Sequence, residues 1–190
     1  MQKAIRFVTD EINRILRFKK NVMIAIDGAS GSGKTALSNE LSVRFKATCI
    51  HCDDFFLPRS MRSASRLAET GGNVHYERLR ETLVRAQSGK AFEYDVYKCK
   101  TDSFVSKTFD PSKVVIVEGS YSLHPSLIDM YDVKVLLKVS ESVQRARLYE
   151  REGYVGITAF LEQWIPLENR YLATLDASKL MVFDTSSEQL

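Results

Sequence analysis

The stretch Asn21 to Thr35, NVMIAIDGASGSGKT, decides the reading of this chain. It is a short apolar run, then a glycine-rich turn, then Lys-Thr. Gly28, Gly33, Lys34 and Thr35 fill every fixed position of the phosphate-binding template G-x-x-x-x-G-K-[ST]. Val22 to Ile26 is β-rich and almost wholly apolar, which predicts a strand buried on both faces of a parallel sheet. Ala36 to Phe45 predicts a helix with Leu37, Leu41 and Phe45 on one stripe. Between strand and helix the loop makes physical sense. Gly28, Ser30, Gly31, Ser32 and Gly33 let the backbone wrap an anion, and the unpaired N–H groups at the helix start point at it. Lys34 is expected to reach the β- and γ-phosphates of a nucleotide, and the Thr35 hydroxyl to ligate Mg²⁺.

Working outward, a second strand over Ala47 to Cys52 runs into Asp53-Asp54-Phe55-Phe56-Leu57-Pro58. Two carboxylates at the carboxyl end of a strand stand where open α/β sheets bind ligands. Lys113 to Val117 is a further buried strand, closed by Glu118 and Gly119, and an acid there is placed to orient Mg²⁺ or its water. Val133 to Val139 and Leu180 to Phe183 complete five buried strands alternating with helices. Phe92 to Tyr97 and Ser103 to Phe109 read as a hairpin, a poor fit to that alternation and therefore an inserted flap.

The helices carry the remaining candidates. Met1 to Lys20 is amphipathic, with Ile5, Val8, Ile12, Ile15 and Leu16 at helical spacing, and is expected to pack on the sheet. Ser60 to Gly72 is polar and basic and reads as a mobile loop. Val74 to Ser88 predicts a helix with Leu79, Leu83 and Val84 facing in and Gly89 as its stop. From Glu141 a helix places Arg147 and Arg151 on one face, where they could neutralise a transferring phosphoryl group, while Arg145 pairs with Glu141. That makes this helix a candidate lid, and 141–175 the lid with the helix that follows it. Thr158 to Leu175 is expected to kink at Pro166, with Trp164 as a packing anchor. The loop Asp184-Thr185-Ser186 is placed to border the base of a nucleotide.

Composition narrows the classes. The 190 residues are 44% hydrophobic and 27% charged with a formal net charge of +3, ordinary for one globular domain over 1–190. No dense basic run supports a nucleic-acid groove, and no apolar run approaches the ~20 residues that cross a bilayer. The N-terminal segment lacks a signal peptide's apolar core, so the cytoplasm is the expected compartment. Three cysteines do not suggest a disulfide framework. Cys49-x-x-Cys52 with His51 between them lacks the second ligand pair that zinc requires.

On GASGSGKT, CDDFFLP, the GGNVHYERL segment, VVIVEGSYSLHP and the WIPLENRY segment, residues 21–185 resemble the uridine kinase and phosphoribulokinase branch of P-loop kinases. That branch also holds nicotinamide riboside kinase and pantothenate kinase. The resemblance implies a doubly wound P-loop α/β fold with a mostly parallel five-stranded sheet and helices on both faces. An acceptor-side insertion over 60–110 and a helical lid complete it. It implies ATP as donor, Mg²⁺ as cofactor, Asp53 as base or orienting group for an acceptor hydroxyl, and Glu118 as metal support. It allows a homo-oligomer. Asp54 is expected to shape the acceptor pocket.

The chain also departs from this family. Where uridine kinases carry an aspartate for ribose hydroxyls this chain has His75, and in place of a Tyr-Asp-aromatic run it has Tyr97-Lys98-Cys99. Aspartate accepts two hydroxyl hydrogen bonds, neutral His one and Lys none. The expected activity is phosphorylation of a small metabolite, a nucleoside such as uridine first. Nicotinamide riboside, pantothenate or a sugar phosphate are alternative acceptors, and an ATP-binding regulatory module is the alternative class.

Overall fold

The computed structural model describes residues 1–187. Its centre is β1 (Val22–Gly28), buried along its whole length. β5 (Val114–Glu118) and β6 (Val133–Lys138) flank it, and β2 (Thr48–His51) and β7 (Met181–Asp184) close the edges in the order β2-β5-β1-β6-β7. Every pairing in this sheet is parallel. The register sets Ile26 opposite Glu118 and Gly28 opposite Leu137, so the carboxyl ends finish together beneath the glycine-rich loop. Neighbours of β1 lie on both sides, which opens a crevice above the strand ends where α/β sheets bind ligands.

Alternation along β1 feeds two cores. Val22, Ile24 and Ile26 pack with Val114, Ile116, Val133 and Val135 against α1 (Gln2–Ile15) and α2 (Lys34–Phe45), through Ile5, Val8, Ile12, Leu37 and Leu41. Met23 and Ala25 face the other way, toward Leu79 and Leu83 of α4 (Tyr76–Gln87), Tyr94 and Phe109 of the hairpin, and Tyr171. The hairpin pairs β3 (Phe92–Lys98) with β4 (Ser103–Phe109) antiparallel, as a separate two-stranded sheet.

Four local expectations need correction. The first helix ends at Ile15, not Lys20, and Phe18 beyond it is 83% exposed. Ser60 to Gly72 is not a bare loop: α3 (Ala64–Ala68) forms because the Ser63 hydroxyl accepts the Arg66 N–H at 3.1 Å and caps it. Val84 is exposed, and Thr82 and Ala86 take the inner face of α4 instead.

The lid helix α5 (Glu141–Ala159) is the fourth. Gly153, at φ 71°, interrupts it, and the chain then passes through a π-turn at Phe160–Trp164 into α6 (Ile165–Leu172). Pro166 follows the π-turn directly, in the first turn of α6, with Trp164 and Ile165 before it still in helical backbone.

Candidate active site

Above the strand ends lies a cavity of about 950 Å³. One wall is the loop from β1 to α2. Gly28, Gly31 and Gly33 adopt φ of 147°, 76° and 93°, and a Cβ on Gly28 would stand 2.2 Å from the Leu137 carbonyl oxygen, so only glycine fits there. No side chain caps α2, which leaves its first-turn N–H groups facing the cavity beside Lys34 and Thr35. The Lys34 ammonium donates to the Gly28 and Ala29 carbonyls at 2.9 and 3.1 Å. Ser32 is fully buried with an unpartnered hydroxyl.

Strand ends supply the acids. Thr35 Oγ1 donates to Glu118 Oε2 at 3.4 Å, which pairs two hard oxygen donors at the loop's mouth, a set suited to Mg²⁺. The other Glu118 oxygen is 2.6 Å from His51 Nδ1. The Cys49 thiol at 4.0 Å and this carboxylate push the imidazole up to about 10. Asp53 and Asp54 follow on a 3-10 turn, Cys52–Phe55, and diverge there. Asp53 enters the cavity, where partial dehydration by the surrounding walls raises its carboxyl above the usual range; Glu118 adds to this and Lys34 opposes it.

Asp54 turns to the hairpin, with Lys107 Nζ at 3.0 Å and Lys98 Nζ at 4.0 Å. Asp54, His75, Tyr97 and Lys98 all lie outside the cavity lining. The structure does not bring these four into the lining, each for a local reason. Asp54 and Lys98 pair with each other's elements. His75 caps α4, its Nδ1 accepting the Arg78 N–H at 3.3 Å. Tyr97 is buried, donating to Asp102 at 2.5 Å and accepting the Arg59 N–H at 3.3 Å. Cys99, in the hairpin turn just after β3, enters the lining where Lys98 was expected, and Asn73 stands where His75 was.

The lid contributes Arg147 and Arg151 to the lining. Arg147 donates to the Gly31 carbonyl at 3.0 Å and to the Thr185 carbonyl at 2.9 Å, bridging the glycine loop to the segment after β7. Arg151 pairs with Glu152 at 2.6 Å, and Arg145 with Glu141 at 3.1 Å. Trp164, expected as a packing anchor, lines the cavity with Phe160 and Gln163.

Two acids that organise the site had not been singled out. Glu168 of α6, 5% exposed, accepts from Ser30 N, Ser30 Oγ and Ser120 Oγ at 2.8, 2.6 and 2.8 Å. Asp27, fully buried, accepts from Gly28 N, Leu123 N and Tyr171 Oη at 2.6, 2.8 and 2.6 Å. Burial raises the Asp27 carboxyl, and these donors oppose the rise. Together they tie the glycine loop, the segment after β5 and α6 into one unit.

The sequence model of the phosphoribulokinase / uridine kinase family matches residues 23–154, more than half of the chain. The protein belongs to this family. Relatives include uridine kinases from Ureaplasma parvum serovar 3 (strain ATCC 27815), 29% identical with 77% of each chain covered, and from Staphylococcus aureus (strain JH9), 29% identical with 70% of each covered. A solved structure of a possible uridine kinase from Bacillus stearothermophilus superposes with a TM-score of 0.71 at 22% identity. It covers 96% of this chain and 98% of that one. A gluconokinase from Sinorhizobium meliloti gives 0.51 at 17% identity, over 90% and 86%. The fold is that of P-loop kinases. Among the described residues, no helix is long and apolar enough to cross a membrane.

Proposed function

We propose that this family member is an ATP-dependent phosphotransferase that phosphorylates a hydroxyl of a small metabolite. The family relatives named uridine kinases support a sugar-bearing acceptor of the nucleoside kind. One observation carries the reading: Lys34, Thr35, Glu118 and Asp53 line a single cavity beside the uncapped start of α2.

The division of labour follows from chemistry. Loop amides and Lys34 hold the donor's phosphates. Thr35 and Glu118 would hold Mg²⁺, which when bound neutralises phosphate charge. Asp53 accepts the hydroxyl's proton or orients the hydroxyl toward the γ-phosphate, and Arg147 and Arg151 offset charge spreading in the transition state.

Asp53→Asn tests it. The expected result is turnover lowered at least ~100-fold with ATP affinity nearly unchanged. A variant that keeps most of its rate would refute the assignment.

A further inference from the structure

Glu118 ends β5 between two cross-strand neighbours. The parallel register sets Ile26 of β1 on one side of it and His51, the last residue of β2, on the other. Residues opposite one another in such a pair project from the same face of the sheet. Ile26 is apolar, so of the two only His51 can bond the carboxylate.

The two carboxylate oxygens are held unequally. Oε1 lies 2.6 Å from His51 Nδ1, whereas Oε2 accepts the Thr35 hydroxyl at 3.4 Å, at the long end of a hydrogen bond. An ionised carboxylate has no proton to give, so Nδ1 carries the proton and donates it. The shorter bond fixes the plane of the carboxylate. The longer one leaves Oε2 beside Thr35 with a lone pair to spare, at the mouth of the glycine loop. The Glu118 side chain is 8% exposed, so without the imidazole Oε1 would be a buried oxygen lacking its donor.

The ring has little else to do. Nδ1 also lies 4.0 Å from the Cys49 thiol on the same strand, and that thiol is 3.2 Å from the Ser38 hydroxyl. Among the described residues, no hydrogen bond of the His51 ring reaches beyond β2 and Glu118.

We propose that His51 is a positioning residue for the metal: its Nδ1–H holds Glu118 so that Oε2 stays beside the Thr35 hydroxyl, where the two oxygens can take Mg²⁺ without the carboxylate first reorienting. This deepens the kinase reading and rests on its assignment of Thr35 and Glu118 to Mg²⁺. Donors behind a ligating group carry about 10- to 100-fold of a site's metal affinity.

The test uses the full chain and calorimetry with a non-hydrolysable ATP analogue, in Mg²⁺ and again in EDTA; the ratio of the two affinities is the metal's contribution. His51→Ala and His51→Phe both remove the donor, and the second keeps the bulk of a ring. His51→Asn keeps a donor, because the asparagine Nδ2 hangs from Cγ as Nδ1 does. The ratio should fall ~10-fold or more in the alanine and phenylalanine variants and stay within ~3-fold of the parent in asparagine. Affinity in EDTA should stay within ~2-fold in all three, which also shows that they are folded. Glu118→Gln should lower the ratio by itself, and adding His51→Ala to it should lower the ratio no further.

A ratio unmoved in the alanine and phenylalanine variants overturns the proposal; if Glu118→Gln still lowers it, the metal assignment stands without His51. Equal losses with and without Mg²⁺, or a loss that the asparagine variant shares, give His51 a role in packing alone and overturn the proposal as well. No effect of Mg²⁺ on the parent, or of Glu118→Gln on the ratio, defeats the metal assignment of the kinase reading and the proposal with it.

Discussion

Glu168 offers the sharpest test of how the phosphate loop is held. Its carboxylate is 5% exposed and accepts from Ser30 N, Ser30 Oγ and Ser120 Oγ within 2.6–2.8 Å. Hydrogen bonds to a charged group contribute about 1.5–3 kcal/mol each, against about 1 for neutral pairs. In Glu168→Gln the amide oxygen can keep the Ser30 N–H, while both hydroxyls rotate to accept from the amide nitrogen. The contacts survive without their charge, at a loss of about 1–3 kcal/mol. Glu168→Ala also leaves the Ser30 N–H without its acceptor, and the expected loss rises to about 3–5 kcal/mol. Urea unfolding reads the stability, and calorimetry with ATP reads the loop. The loop is held less firmly in Gln and released in Ala, so ATP affinity should fall about 3- to 10-fold in Gln and further in Ala. An alanine variant within about 0.5 kcal/mol of the parent, with ATP affinity intact, would refute the clamp.

Other perturbations probe other parts of the account. Gly28→Ala forces a Cβ to 2.2 Å from the Leu137 carbonyl at φ 147°; a loss of about 2–4 kcal/mol in urea unfolding is expected, and a change below 0.5 kcal/mol would show that the loop relaxes freely. The raised carboxyl of Asp53 must be ionised to engage a hydroxyl proton. The acid limb of kcat/KM is therefore complete only above that raised value and falls as pH drops through it. A limb near the ordinary aspartate value of about 4 would count against Asp53 as the titrating group.

Much of this architecture was legible in the sequence because it is locally encoded. The template from Gly28 to Thr35 needs a strand before it and a helix after it, and the apolar runs at Val22, Val114 and Val133 supply buried strands without further context. Asp53 and Glu118 were legible for the same reason, as acids ending such runs. Glu168 was not, because its partner Ser30 is 138 residues away. The available signal was an acid three residues after Ile165 and three before Tyr171, on the buried face of α6. Asp27, an acid inside an apolar strand, gave a comparable hint.

On the acceptor side a one-residue change of facing decides which residues enter the lining. Asp54 points opposite to Asp53, and Lys98 opposite to Cys99. Neither direction can be fixed before the hairpin is docked on the Asp53 turn, where Phe55 stacks on Tyr94 at 5.8 Å. Arg59 and Arg62 sat in a segment read as a loop border and loop, and only the fold brings them to Cys99.

The central claim is transfer of phosphate from ATP to an acceptor hydroxyl in this cavity. Its most direct measurement is ADP release by the purified protein with Mg²⁺ and ATP across neutral and anionic acceptors, with Lys34→Ala as the blank. The account predicts that at least one acceptor stimulates release well above the ATP-only rate, and that the Lys34→Ala variant abolishes the stimulation. ATP binding with no stimulation by any acceptor would contradict it and leave a nucleotide-binding regulatory module in its place.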